Sequence, residues 1–99
     1  MERRLELDSI LRNICPNVYF QPPANLEMKY PCIRYVRSKP RGIFADNNLY
    51  INRKCYTVTV IDENPDSNIP DKVASLQLCS FDRHYASDNL NHDVFTLYY

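Results

Sequence analysis

Apolar residues recur with two different periods along this chain. Leu7, Ile10, Leu11 and Ile14 stand at i, i+3, i+4 and i+7, which collects them on one stripe and predicts a helix over Glu2 to Ile14, with Arg3, Arg4 and Arg12 left to water. Pro16 ends it. Val18, Tyr19 and Phe20 then predict a short strand, cut off by Pro22 and Pro23, and Ala24 to Tyr30 fits either a helical turn or an extended crossing. Beyond this point the period falls to two. Cys32 to Arg37 predicts a second strand, entered through Pro31 and left at the loop SKPRG. A turn is expected at Asp46, Asn47 and Asn48. Lys54 to Ile61 sets Tyr56, Val58 and Val60 against Thr57, Thr59 and Ile61, the clearest alternation in the chain and the expected central strand.

IDENPDSNIPD is rich in turn formers. The stretch Ser67 to Leu78 predicts a short second helix starting near Pro70, a residue suited to a first helical turn, with Ile69, Val73 and Leu76 toward the core. Phe81 to Tyr85 predicts a strand, Ser87, Asp88 and Asn89 a turn, and Val94 to Tyr99 a last strand. There Phe95, Leu97 and Tyr99 would supply core area, with the terminal residues held in a sheet or against a partner. Helix, strands, helix, strands is the order of an α+β fold: a mainly antiparallel sheet with an N-terminal helix and a short second helix packed on one face. Residues 1–99 are enough for one core, so a single domain is expected.

Composition sharpens the picture at two points. Gly42 is the only glycine, so turns fall to Pro and to Asn, which tolerates left-handed backbone, and a glycine-rich phosphate cradle is excluded. Formal charge is zero, but it is unevenly spread: residues 1–28 carry −1, residues 29–54 carry +6, and residues 55–99 carry −5. A chain with a positive middle and a negative end can complement copies of itself when the two regions occupy different surfaces.

Four cysteines, Cys15, Cys32, Cys55 and Cys79, are widely spaced without a CxxC pair, and the chain shows no signal-peptide pattern. The expectation is a reduced, intracellular protein. No apolar run approaches the roughly 20 residues of a membrane-spanning helix, so no membrane is expected as a partner.

The tract CSFDRHYASDNLNHDVFTLYY resembles an active site in composition. His84, Asp88 and His92 are four apart, a spacing that converges on a helix face but not across strand, turn and strand. No metal is therefore expected. Cys32 and Cys55 sit within strand patterns, where cysteine is usually a small buried hydrophobe, and no nucleophile motif accompanies the histidines. Neither catalysis nor a cofactor is expected. Lys29 to Lys54 interleaves basic residues with Tyr30, Tyr35, Phe44 and Tyr50, the pairing used by single-strand nucleic-acid binders. Strand alternation would bury much of that aromatic surface, and the sequence pI near 6.7 is not that of a dedicated binder.

The run RKCYTVTVIDENPDSNIPDKV and the C-terminal tract, with MERRLEL, NVYFQPP and MKYPCIRY before them, resemble a family of small neck proteins of long-tailed bacteriophages, the tail terminator or tail completion proteins. The likeness extends over essentially the whole chain. It implies a ring, commonly hexameric, at the head-proximal end of the tail tube. Its neighbours would be the tail tube protein and head-side connector proteins, and genomic DNA would pass through the lumen without specific binding. The implied location is the virion neck, after synthesis in the host cytoplasm. Another head–tail connector, a stopper or adaptor, and a nucleic-acid-binding protein using Lys29 to Lys54 are the alternatives. A head-to-tail ring joins two different patches of one chain. The expected contacts are Arg37, Lys39 and Arg41, supported by Arg53 and Lys54, against Asp66, Asp82, Asp88 or Asp93 of the next copy, with His84 and Tyr98 as further contact residues.

Overall fold

The computed structural model describes residues 3–23, 27, 29–38, 54–64, 66–76 and 78–99. Among these residues, two helices and five strands follow in the order α1 (Arg3–Ile14), β1 (Val18–Phe20), β2 (Cys32–Ser38), β3 (Cys55–Asp62), α2 (Ile69–Ala74), β4 (Cys79–Ser87) and β5 (Leu90–Tyr98). The strands form one sheet in the order β1-β2-β3-β5-β4. The most regular alternation in the sequence, β3, is thus the middle strand. Every pairing is antiparallel except β1 with β2, which is parallel. A parallel pair needs a long return connection, and residues 21–31 supply it.

The register explains which side chains meet. Tyr35 and Phe95 flank Val58, Ile33 flanks Val60, Leu97 lies beside Tyr56, and Phe81 pairs with Phe95. These side chains share one face, and there Leu7 and Leu11 of α1 and Val73 of α2 complete the core. Ile14, Ile69, Leu76 and Tyr99 pack around it. The fold is α+β, with both helices against one face of a mostly antiparallel sheet.

The helical stripe behaves as its spacing requires, with Leu7 and Leu11 fully covered at its centre. The opposite face of the sheet differs from a simple apolar-in, polar-out alternation. Cys32, Cys55, Ile61, Val94 and Tyr98 lie on that face by register, and all are buried. Tyr98, expected from sequence as a contact residue, is only 4% exposed. Its ring is covered within the subunit, on the face away from the helices, where position 98 lies opposite Cys55.

A polar clamp ties α1 to the β1 edge. The Tyr35 hydroxyl donates to Asp8 Oδ1 at 2.7 Å, Arg12 Nε donates to Asp8 Oδ2 at 2.6 Å, and Arg4 Nη1 donates to the Tyr35 hydroxyl at 3.4 Å. Arg4 also lies over the Phe20 ring, 4.5 Å from its centroid. Arg12 reaches further and donates from Nη2 to the carbonyl of Val18 at 3.2 Å. Burial raises the Asp8 pKa, but the bonds from Arg12 and Tyr35 and the charges of Arg12 and Arg4 outweigh it, and the carboxyl titrates below its ordinary value. Burial first, and then the bond to Asp8, push Tyr35 up to about 12.

Candidate subunit interface

The acidic C-terminal tract folds as one hairpin, β4–β5, at the edge of the sheet. Its loop is the pair Asp88 and Asn89, with φ of 53° and 64°, the left-handed values that a two-residue type I′ turn demands and that Asp and Asn tolerate. Counting outward equally from that turn pairs Tyr85 with His92 and His84 with Asp93. The sequence carried this signal, since any two-residue turn at Asp88–Asn89 fixes those partners.

His84 Nδ1 lies 2.7 Å from Asp93 Oδ1, and because an ionised carboxylate only accepts, the proton belongs on Nδ1. On the other face of the hairpin the Tyr85 and His92 rings stack at 4.6 Å with 9° between planes. His92 Nδ1 donates to its own strand's Leu90 carbonyl at 3.2 Å. The two histidines therefore point to opposite faces of one ribbon. Among the described residues no group of three His, Cys, Asp or Glu is placed to hold a metal ion. What these pairs do is lock the hairpin register, each cross-strand pair contributing about 0.2–1 kcal/mol.

The thiols are covered rather than poised. Burial, followed by the neighbouring Cys15, pushes Cys32 up to about 12, and burial pushes Cys79 up to about 11. Cys15 is raised for the same first reason, and its Sγ lies 3.4 Å from the Pro31 carbonyl. A cavity of about 190 Å³, walled by Leu7, Leu76, Leu97 and Tyr99 among others, opens between α1 and the end of β5.

The charged residues expected at a subunit contact divide between two regions. Arg37 is exposed near the end of β2, opposite Tyr56, with its backbone N–H donated to Gln21 Oε1 at 3.2 Å. Lys54 is exposed beside it in the fold, at the start of β3, where its backbone exchanges hydrogen bonds with Tyr99. Lys39, Arg41 and Arg53 lie outside the described residues. Asp88 sits at the hairpin turn, and Asp66 lies in the β3–α2 loop, its N–H donated to Asn64 Oδ1 at 2.9 Å. Asp62, at the far end of β3 from Lys54, pairs with Asn91, so among the described residues Arg37 and Lys54 lie at the opposite end of the central strand from Asp62 and the hairpin turn that carries Asp88. At about 3.3 Å per residue the stretch from Lys54 to Asp62 spans roughly 26 Å.

The separation has exceptions. Asp82 and Arg83 are neighbours on β4, 3.5 Å apart, and Asp93 is largely occupied by His84. Lys29, part of the basic run in sequence, donates its backbone N–H to the Tyr19 hydroxyl and so belongs to the β1 side. Asp66, Asp82 and Asp88 are the exposed carboxylates of the expected set. Arg4 and Arg12, left to water by the sequence pattern, instead bond Tyr35, Asp8 and the Val18 carbonyl and add positive charge along β1 although their segment is net negative.

No family model matches the chain, and no curated protein or solved structure does.

Proposed function

We propose that this chain is a structural subunit of the neck of a tailed phage, a tail terminator that forms a ring, commonly hexameric, at the head-proximal end of the tail tube and joins it to the head-side connectors. The observation that supports the reading is the displacement of charge along one rigid sheet: Arg37 and Lys54 at one end of the central strand, Asp66 and Asp88 toward the other. A head-to-tail contact needs two different, complementary patches on the same molecule. Exposed ion pairs contribute only about 0–1 kcal/mol each, so several must act together, and orientation rather than affinity is their main product. The neck location is inferred from the likeness of the sequence to tail completion proteins described above, and DNA passing through the lumen would require no base-reading chemistry.

Two experiments test the reading. Deleting the gene from the phage should give overlong tails or tails without heads, whereas normal tails with empty, leaking heads would assign the chain to a head-side plug instead. Reversing charge at Arg37 together with Arg41 should abolish ring formation on purified tail tubes, viewed by electron microscopy. Rings of unchanged abundance would remove these residues from the contact.

A further inference from the structure

Among the described strands the outer ones are β1 and β4, and the two edges are not equivalent. At β1 the strand is three residues long and the carbonyl of Val18 is already taken by Arg12. At β4 nine residues run along the edge, with every residue from Ser80 to Ser87 exposed. Two large apolar side chains stand out there, Phe81 at 58% and Tyr85 at 43% exposure.

The turn fixes which backbone groups of β4 face outward. In a two-residue hairpin the flanking residues, Ser87 and Leu90, form a hydrogen-bonded pair, and such pairs recur at every second position. Ser87, Tyr85 and Arg83 therefore direct N–H and C=O toward β5, leaving those of His84 and Ala86 turned away from the sheet. The far end of β5 agrees with this phase: Tyr98 donates its N–H to Leu78 on the β4 side, and Tyr99 exchanges bonds with Lys54 on the β3 side. Between Phe81 and Arg83 the register shifts by a bulge, which ends the regular edge. The pairable stretch is Arg83 to Ser87.

We propose that this stretch is a strand-pairing site for a second copy of the same chain, joined antiparallel across a two-fold axis at Tyr85. The complementarity follows from the order of residues. His84 of each copy falls opposite Ala86 of the other, and their outward N–H and C=O groups form four hydrogen bonds in all. Ala86 leaves room for the imidazole, which Asp93 already holds aside. Arg83 falls opposite Ser87, without a like charge across from it. The two Tyr85 rings meet at a non-hydrogen-bonded pair, where Cα atoms approach to about 4.5 Å. They extend the Tyr85–His92 stack into a row of four rings. The contact is isologous, so it closes at two copies. A copy engaged this way has its acidic hairpin covered, so the dimer is the form of the subunit away from the tail. It does not depend on the ring reading, because it is measured on the free protein.

The test uses the full chain and the variant Ala86→Pro. Proline is tolerated on an edge strand where the lost N–H faces outward, so the β4–β5 ladder stays intact, which the amide NMR spectrum verifies. Light scattering over a concentration series should show wild-type mass rising from 11.7 kDa toward twice that value. Ala86→Pro should weaken the dimer about ten- to a hundred-fold through two lost hydrogen bonds. The amides of His84 and Ala86 should exchange more slowly as wild-type protein is concentrated. A wild-type protein that remains monomeric at millimolar concentration, or any oligomer that Ala86→Pro leaves unchanged, overturns the proposal. So does slowed exchange at these amides that appears only when a different protein is added.

Discussion

Replacing Tyr35 with phenylalanine removes one oxygen from the clamp between α1 and the sheet and leaves the ring in place. The lost bond runs from a buried phenol to a carboxylate, over 2.7 Å. Hydrogen bonds to charged groups are worth about 1.5–3 kcal/mol. Asp8 keeps its bond to Arg12, which puts Tyr35→Phe near the lower end, about 1.5 kcal/mol. For a domain of this size that lowers Tm by about 6–12 °C. The effect should depend on pH in a defined direction. Asp8 has its pKa lowered by folding, so its contribution is complete above the unfolded-state value of about 3.9 and is lost as pH falls through the lower, folded value. Urea unfolding followed by circular dichroism should show the full wild-type advantage at pH 7 and a smaller one near pH 2.5. A loss under about 0.5 kcal/mol at pH 7, or a difference that stays constant into acid, would refute the assignment of the clamp as a stabilising unit.

Phe95→Ala empties the centre of the helix-side core, where Phe95 contacts Phe81 edge-on at 5.6 Å. The expected cost is about 3–5 kcal/mol, a large share of the stability of any small domain, visible as a lost or broadened thermal transition. Asn89→Gly should be neutral or stabilising by up to about 1 kcal/mol, since φ of 64° suits glycine, while Asn89→Val should cost about 1–2 kcal/mol; paired urea titrations distinguish them. A thiol reagent at pH 7.5 should label the native protein slowly and all four cysteines after unfolding. Fast labelling of Cys32 in the native state would contradict its burial and its raised pKa of about 12.

Much of the architecture was legible from periodicity. The stripe Leu7, Leu11 and Ile14 and the alternation Tyr56, Val58 and Val60 carry their own orientation, because burying them on one side satisfies every residue in the run at once. The second helix, observed over Ile69–Ala74, was marked by Pro70 and by the spacing of Ile69, Val73 and Leu76. The parallel pairing of β1 could not be read, since three residues have no pattern that distinguishes one neighbour or direction from another. Nor could the length of β4, whose residues are exposed on both faces and so lack the apolar contrast by which strands are recognised. Tyr98 was misjudged because alternation assigns it to the face away from the helices, and this face is also buried. In the hairpin, His84 and His92 invited a reading based on separation along the chain, whereas the turn between them dictates that they point apart. The charge count along the chain could not show that pairings such as Asp8 with Arg12 and His84 with Asp93 consume some of the groups it counted.

Arg12 has a consequence that reaches beyond its own hydrogen bonds. Because its guanidinium occupies the Val18 carbonyl at 3.2 Å, one of the outward backbone groups on the short β1 rim is already bonded within the subunit. Growth by stacking sheet upon sheet edge, the route to fibrils, needs two such rims on every molecule. A side chain on the first helix thereby guards part of one of them, and Arg12→Ala should make the protein more prone to edge-to-edge association, read as light scattering that grows with time.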